Sequence, residues 1–386
     1  MRPLHVAAAA AGFATFINLY APQSVLTLLA ETYGSSAAQT GLTITATLIA
    51  VALVAPFVGG ISDAFGRRRL ILPACFALVL PTVLVALAPS LHWFLFGRFL
   101  QGLLLPFIFT VFVAYIADEC PGPVAMRVTG TYSVGAIVGG FGGRFIAGWT
   151  AYFLNWRASF LLLAAITLAA FVVLLVTMPP ERNFRPVRSW RGTAAGFALQ
   201  LRNRQVLVTC AAGFAVLFSI VATFTFANLL LAAPPYDLGP AELGSIFVTY
   251  LLGALVTPAA TRFATRFGRR WTMLAAGIAA GSGILLTLIP SLMVIVAGLS
   301  LVALGVLTEQ MLSIGYVAIA GERARSTAVG LYVTCYYVGG SLGGLAPASI
   351  WSHAGWPGCV ALVFAVQAAA VALTWLAWPR GMALRS

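Results

Sequence analysis

The chain contains no lysine and little charge of any kind. Only 8% of its 386 residues are charged, against about 25% in a typical soluble domain, which excludes an ordinary water-soluble globule. Without lysine no G-x-x-x-x-G-K-[ST] phosphate loop can exist, so ATP drive by this chain is not expected. Histidine numbers three and cysteine five. His5, His92 and His353 stand near the ends of apolar runs. Cys75, Cys120, Cys210, Cys335 and Cys359 are scattered without metal-ligand spacing and read as packing residues. No nucleophile–base or metal constellation is visible, so neither an enzyme nor a cofactor is expected. Period-two alternation, the mark of a membrane barrel, is also missing.

What is present is apolar sequence: 61% of residues are hydrophobic, and the mean hydropathy is +0.99. It falls into runs near the ~20 residues a helix needs to cross a ~30 Å hydrocarbon core. The runs are 5–30, 38–62, 69–89, 91–117, 124–152 and 156–178, then 205–233, 240–264, 269–290, 291–319, 324–349 and 354–379. This predicts an all-α polytopic membrane protein with twelve transmembrane helices. They form two six-helix bundles, 1–178 and 205–386, joined by a linker over 179–204. The first run is too long for a cleaved signal peptide.

The formal net charge is +13 and every one of the 22 basic residues is arginine. With both termini placed inside, nineteen arginines fall in inner loops, tails or helix ends, one (Arg157) falls outside, and Arg98 and Arg144 fall within spans. That bias predicts cytoplasmic termini. The excess is an insertion signal and a contact with anionic membrane lipids, not a nucleic-acid surface. Arg182, Arg185, Arg188, Arg191, Arg202 and Arg204 of the linker are expected to lie on anionic headgroups.

The chain also repeats itself. "FGRRR" at Phe65 has a counterpart in "FGRRW" at Phe267, and "GTYSVGAIVGG" (130–140) lines up with "GLYVTCYYVGG" (330–340) at an offset of 200, as does Trp156 with Trp356. The copies share Gly130/Gly330, Tyr132/Tyr332, Val138/Val338, Gly139/Gly339 and Gly140/Gly340.

Between the second and third runs stands "GGISDAFGRRR". Together with the span count, the linker and the repeat, it resembles the loop 2–3 signature of the major facilitator superfamily, G-x-x-x-D-R-x-G-R-[RK]. Gly59, Asp63, Gly66, Arg67 and Arg68 fill that pattern, and Ala64 departs from its usual basic residue. Physically, Gly59 is expected to allow close helix approach and Gly66 a tight turn. Asp63 can meet a positive helix N-terminus near Arg323–Arg325. The resemblance implies that Arg67 meets Asp118, the whole forming a conformational latch. Thr265 stands where Asp63 would repeat, so the second copy should latch more weakly.

Two further stretches resemble the drug:proton antiporter branch. "GRFLQG" (97–102) matches its helix 4 pattern R-x-x-Q-G through Arg98, Gln101 and Gly102. "GAIVGGFGG" (135–143) resembles its helix 5 pattern, with Gly140 in place of the expected proline and the last glycine pair displaced by one. Gly135, Gly139, Gly142 and Gly143 give that helix a bare face, suited to packing or to sliding.

Charges inside spans are expensive and mark function by default. Arg98, Arg144 and Glu309 qualify, and Glu309 is the only carboxylate well inside any run. These three are the candidates for proton coupling. Substrate contacts are sought at Asn18, Tyr20, Gln23, Arg98, Gln101, Arg144, Asn228, Glu309, Tyr336 and Tyr337. For Asn18 and Asn228 an interhelical bond is the competing reading. The expectation is a monomeric secondary transporter of the bacterial inner membrane, working by alternating access. It would export a small, mainly apolar organic compound in exchange for protons. Transport of an organic anion is the alternative, since two buried arginines face one buried glutamate, and a lipid flippase is a further use of the same fold.

Overall fold

The structure, a computed structural model, describes residues 2–184 and 197–379, and among these it is helical throughout with no strand. A bilayer core offers no water to backbone groups, so a single chain satisfies them by helix. The helices are α1 (Arg2–Leu19), α2 (Leu26–Tyr33), α3 (Ala37–Phe65), α4 (Arg68–Ala77), α5 (Val79–Ala86), α6 (Leu91–Glu119), α7 (Gly122–Phe153) and α8 (Trp156–Thr177). Then come α9 (Arg204–Ala232), α10 (Pro240–Ile246), α11 (Val248–Phe267), α12 (Arg269–Leu286), α13 (Leu292–Ala320) and α14 (Arg325–Ala377). Local chemistry sets the ends. Ser36 and Gln39 close a capping box on α3, and the Asn155 and Asn203 side chains cap α8 and α9. Gly66 (φ 96°) and Gly268 (φ 87°) make the short turns that follow α3 and α11. Residues 185–196, with Arg185, Arg188 and Arg191 of the expected linker surface, lie outside the described residues.

Among the described residues, seven helices are long and apolar enough to cross a membrane, and α1 with the segment Ala21–Tyr33, bent by 40°, makes an eighth. The remaining four come from three elements of lower hydropathy and from α14. The three are the glycine-rich α7, the pair α10 and α11, and the 18-residue α12. A straight α14 of 53 residues would run about 80 Å, more than twice the hydrocarbon thickness. It does not run straight: Gly355 has non-helical φ 57° and ψ −152°, with Pro357 just beyond. The Cys359 thiol donates to Pro347 O at 3.6 Å across that turn, so the two halves form a hairpin.

Three expected single spans prove to be broken. Run 5–30 bends after Leu19, run 69–89 is interrupted at Leu78, and run 240–264 is interrupted at Phe247. Pro22, which has no N–H to continue the helix, explains the first break.

The chain divides into two compact units, Met1–Trp190 with Leu238–Phe247, and Arg191–Asp237 with Val248–Ser386. In the first, Gly135, Gly139 and Gly143 of α7 lie against the backbone of Ala9, Phe13 and Ile17 of α1, where a Cβ would strike main-chain atoms. The four-residue spacing on both helices is ridge-to-ridge packing made tight by the lack of side chains. In the second, Gly339 and Gly343 of α14 meet Phe214 and Phe218 of α9 in the same way. The Ser159 hydroxyl donates to Ala147 O at 2.8 Å, and its counterpart 200 residues on is the bond from Cys359 to Pro347. The sequence repeat is thus a repeat of contacts. Gly142 is not part of the crossing, since a Cβ there meets only the Phe13 ring, at 3.7 Å. Gly59 corrects its expectation outright. A Cβ there meets nothing within 4 Å, so close helix approach does not explain it.

Candidate functional site

The polar residues of the first unit are organised around the break in α1. In a continuous helix Asn18 O would accept from residue 22 and Leu19 O from residue 23. Pro22 has no N–H, and the Gln23 N–H turns instead to Tyr20 O at 3.0 Å. Two carbonyls are left over inside the bundle. The Arg98 guanidinium takes both, Nη1 donating to Asn18 O (2.8 Å) and Nη2 to Leu19 O (2.5 Å). Its Nε donates to Thr43 O at 3.1 Å, and Thr47 Oγ1 donates back to Arg98 O at 3.1 Å. A planar fork with fixed donors suits this double capping as an ammonium would not.

The network continues through side chains. Arg98 Nη1 also donates to Gln101 Oε1, and Gln101 Nε2 donates to Thr82 Oγ1 at 2.8 Å. Thr82 Oγ1 lies 3.3 Å from Asn18 Oδ1, and Asn18 Nδ2 donates to Thr167 Oγ1 at 2.8 Å. Gly102 completes the motif, because a Cβ there would collide with the Thr47 backbone. The R-x-x-Q-G pattern therefore joins α1, α3, α5, α6 and α8. Asn18 makes the interhelical bond, and Arg98, with no exposed surface, does not snorkel. Thr82 and Thr167 could be recognised from sequence only as isolated hydroxyls in apolar runs.

Arg144, on α7, is 2% exposed. Its Nε donates to Gln23 Oε1 and its Nη1 to Gly140 O, both at 2.7 Å. The guanidinium carbon lies 4.5 Å from the Tyr20 ring centroid and 4.4 Å from that of Phe247. Tyr20, Gln23 and Arg144 thus come together just past the α1 break. Phe247, the third member of this cage, carries no sequence signal, because an apolar ring in an apolar run looks like any other.

In the second unit Glu309 is fully buried on α13. It adjoins the Gln367 amide of α14, and a Cβ on Gly277 of α12 would lie 3.3 Å from its Oε1. Both carboxyl oxygens and both polar atoms of Gln367 lack a hydrogen-bond partner among the described residues. Gln367 is the neighbour that sequence reading missed; the one available sign was a single amide in "FAVQAAA". Tyr336 stacks on Tyr332 at 6.2 Å, and Tyr337 and Asn228 are buried in the same unit. Arg98 and Arg144 belong to the first unit and Glu309 to the second.

At the α3–α4 turn, Arg67 Nη2 lies 2.6 Å from Asp63 Oδ1 and its Nε 3.1 Å from Asp118 Oδ2. Its Nη1 donates to Ser62 Oγ. Arg67 is 11% exposed, whereas Asp63 and Asp118 are 45% and 38% exposed. Solvent screening therefore holds each pair to about 0–1 kcal/mol. Arg68 points elsewhere, its Nε donating to Met178 O at 3.2 Å.

Two repeated bundles of apolar helices, with charge confined to a few buried or end positions, define a multi-pass membrane transporter. The family model of the Major Facilitator Superfamily matches residues 8–235, and the chain belongs to that family. It is 31% identical over 355 residues to the inner membrane transport protein YnfM of Escherichia coli, covering 92% of this chain and 85% of that one. It is 29% identical to the multi-drug resistance efflux pump PmrA of Streptococcus pneumoniae over 147 residues, 38% of this chain and 36% of the pump. Among solved structures, the nucleoside transporter NupG shares the fold with a TM-score of 0.77 at 12% identity, covering 97% of this chain and all of that one. A bacterial homologue of the lysosomal transporter Spinster, inward-facing and occupied, also gives 0.77, at 17% identity over 96% and 95% of the two chains. The chain is a transporter rather than an enzyme, and transporters of this family bind small-molecule substrates.

Proposed function

We propose that the protein is a proton-coupled exporter of a small, mainly apolar organic compound, with Glu309 as the proton carrier. The observation that carries this reading is the full burial of Glu309, whose oxygens have the Gln367 amide beside them and no hydrogen bond of good geometry among the described residues. A lasting charge there would cost several kcal/mol. A carboxyl that takes up a proton in one conformation and yields it in another meets that constraint, and acidic side chains are the usual carriers in transporter relays. The efflux direction is supported by the likeness to the pump PmrA and by the R-x-x-Q-G motif. Each unit offers candidate substrate contacts: Tyr20, Gln23 and Arg144 in the first, and Asn228, Tyr336 and Tyr337 in the second.

Glu309→Gln keeps the shape of the protonated side chain and removes titration. In inverted vesicles it is expected to abolish uphill, pH-driven transport while leaving downhill exchange in place. Uphill transport with unchanged pH dependence would remove Glu309 from the role. The organic-anion reading would then gain, with the Arg144 guanidinium as its receptor.

We further propose cytoplasmic termini in the bacterial inner membrane, supported by the arginine distribution, and a latch formed by Asp63, Arg67 and Asp118. In a cysteine-free background, a cysteine at Ser36 should react with an impermeant thiol reagent in intact cells, and one at Gly122 should not; the reverse labelling inverts the orientation. Asp63→Asn removes a screened pair worth about 0–1 kcal/mol. A roughly two- to five-fold change in the accessibility of a reporter cysteine in the transport pathway is expected, without loss of folding. An unchanged reporter makes Asp63 a solvated loop residue only.

A further inference from the structure

Beside the α3–α4 turn the first unit holds a cavity of about 630 Å³. Its wall carries three arginines, Arg68, Arg69 and Arg182, and one acid, Glu181. The Glu181 carboxylate accepts the backbone N–H of Arg68, and Arg68 uses its Nε on Met178 O. Arg182 is anchored through its main chain, its N–H donating to Glu119 Oε1 at 2.9 Å. The guanidinium groups of Arg69 and Arg182 are left without a hydrogen-bond or ion-pair partner among the described residues. Three positive charges against one negative leave the wall at +2. The rest of the lining is apolar, with Leu72 and Pro73 from α4 and Phe184 from the segment beyond α8.

We infer that this cavity binds the phosphate group of an anionic ligand, either an anionic phospholipid or a free phosphate ester. Two guanidinium-bearing side chains without a protein partner on the wall of one space suit an anion with several oxygens. A phosphate group presents more oxygens than a carboxylate and up to twice its negative charge, so it matches two guanidinium forks and a wall of +2 better. The apolar wall favours the lipid, because it opens from the start of a membrane-spanning element and can take the first carbons of a chain. A bound phosphate bridges Arg69 on α4 to Arg182 beyond α8, and so ties the turn that carries Arg67 to the segment after the sixth span. This site is independent of the Glu309 reading.

The test uses the full chain, purified and examined by native mass spectrometry in mixed micelles. Phosphatidylglycerol is compared with phosphatidylcholine, and glycerol 3-phosphate serves as a headgroup without chains. The wild type is expected to retain phosphatidylglycerol over phosphatidylcholine. The double variant Arg69→Gln, Arg182→Gln is expected to lose that preference by roughly ten- to thirty-fold, at about one surface-arginine contribution each. Arg69→Lys with Arg182→Lys should restore part of it, and Arg127→Gln, an exposed arginine elsewhere, should leave it intact. Competition by glycerol 3-phosphate at millimolar concentration assigns the site to a free phosphate ester; failure to compete assigns it to lipid. Equal phosphatidylglycerol retention by wild type and double variant, with no glycerol 3-phosphate bound, overturns the proposal. Equal melting temperatures in phosphatidylcholine confirm that the variants are folded.

Discussion

Arg98→Leu is expected to cost the protein its stability before it costs it any substrate. The substitution fills similar space but leaves Asn18 O, Leu19 O, Thr43 O and Gln101 Oε1 without the donor each has now. Interhelical hydrogen bonds in membranes average only ~0.6 kcal/mol each, which would give about 1.8 kcal/mol for the three that leave α6. Acceptors left unmade in a dry interior cost ~1–3 kcal/mol apiece, and the Pro22 break offers the two carbonyls of α1 no alternative donor. The second effect dominates, so a loss of about 3–5 kcal/mol is expected from a total stability of the order of 5–15 kcal/mol. The measurement is thermal unfolding of the purified protein without substrate. Arg98→Lys should fall between, since an ammonium keeps the charge but not the fork. A normal melting temperature with weakened substrate binding would instead make Arg98 a pocket residue.

The second large effect is expected at the crossing of α7 on α1. A Cβ on Gly143 would land on the Ile17 carbonyl, and one on Gly139 would lie 2.6 Å from Phe13 O. Neither obstacle is a side chain that can swing away, so the helices must separate. Overpacking of this kind costs ~1–3 kcal/mol per site, and two adjacent wedges also deprive neighbouring turns of contact. Gly139→Ala with Gly143→Ala should therefore lower stability by about 3 kcal/mol or more and abolish transport. Gly142→Ala, with only the Phe13 ring at 3.7 Å, should be neutral in thermal unfolding and in vesicle transport. If all three positions accept alanine alike, the stripe is a loose surface, and the sliding reading of these glycines becomes the better one.

The helices were legible in the sequence because the lipid imposes one length and one hydrogen-bonding solution on every span. The breaks were less so. Pro22 in "YAPQS" is a visible signal for the bend in α1, while nothing around Phe247 marks the interruption between α10 and α11. The candidate site was legible as a set of residues but not as a set of directions. In α6 and α13 apolar residues run all round the helix, so no period tells which way Arg98 or Glu309 points. Arg98 turns toward a backbone defect 80 positions earlier in the chain. Glu309 turns toward an amide 58 residues on. Asp63 and Arg67 stood one helical turn apart across Gly66, and spacing alone put them within reach.

The doubled crossing of glycine-bearing helix on aromatic-bearing helix also dates the chain's parts relative to one another. Phe13 and Gly139 are 126 positions apart, and their counterparts Phe214 and Gly339 are 125 apart. One residue has been gained or lost between the joints without disturbing either of them. Asp63 meanwhile has become Thr265, and the Arg98 fork has no counterpart at Leu299. Two of the three glycine contacts of the seam recur in the second copy, with Cys335 standing where Gly135 would repeat, while the ionic chemistry of the two copies differs. The backbone-to-backbone seam therefore constrains both copies alike at two positions, whereas buried charge is particular to each copy.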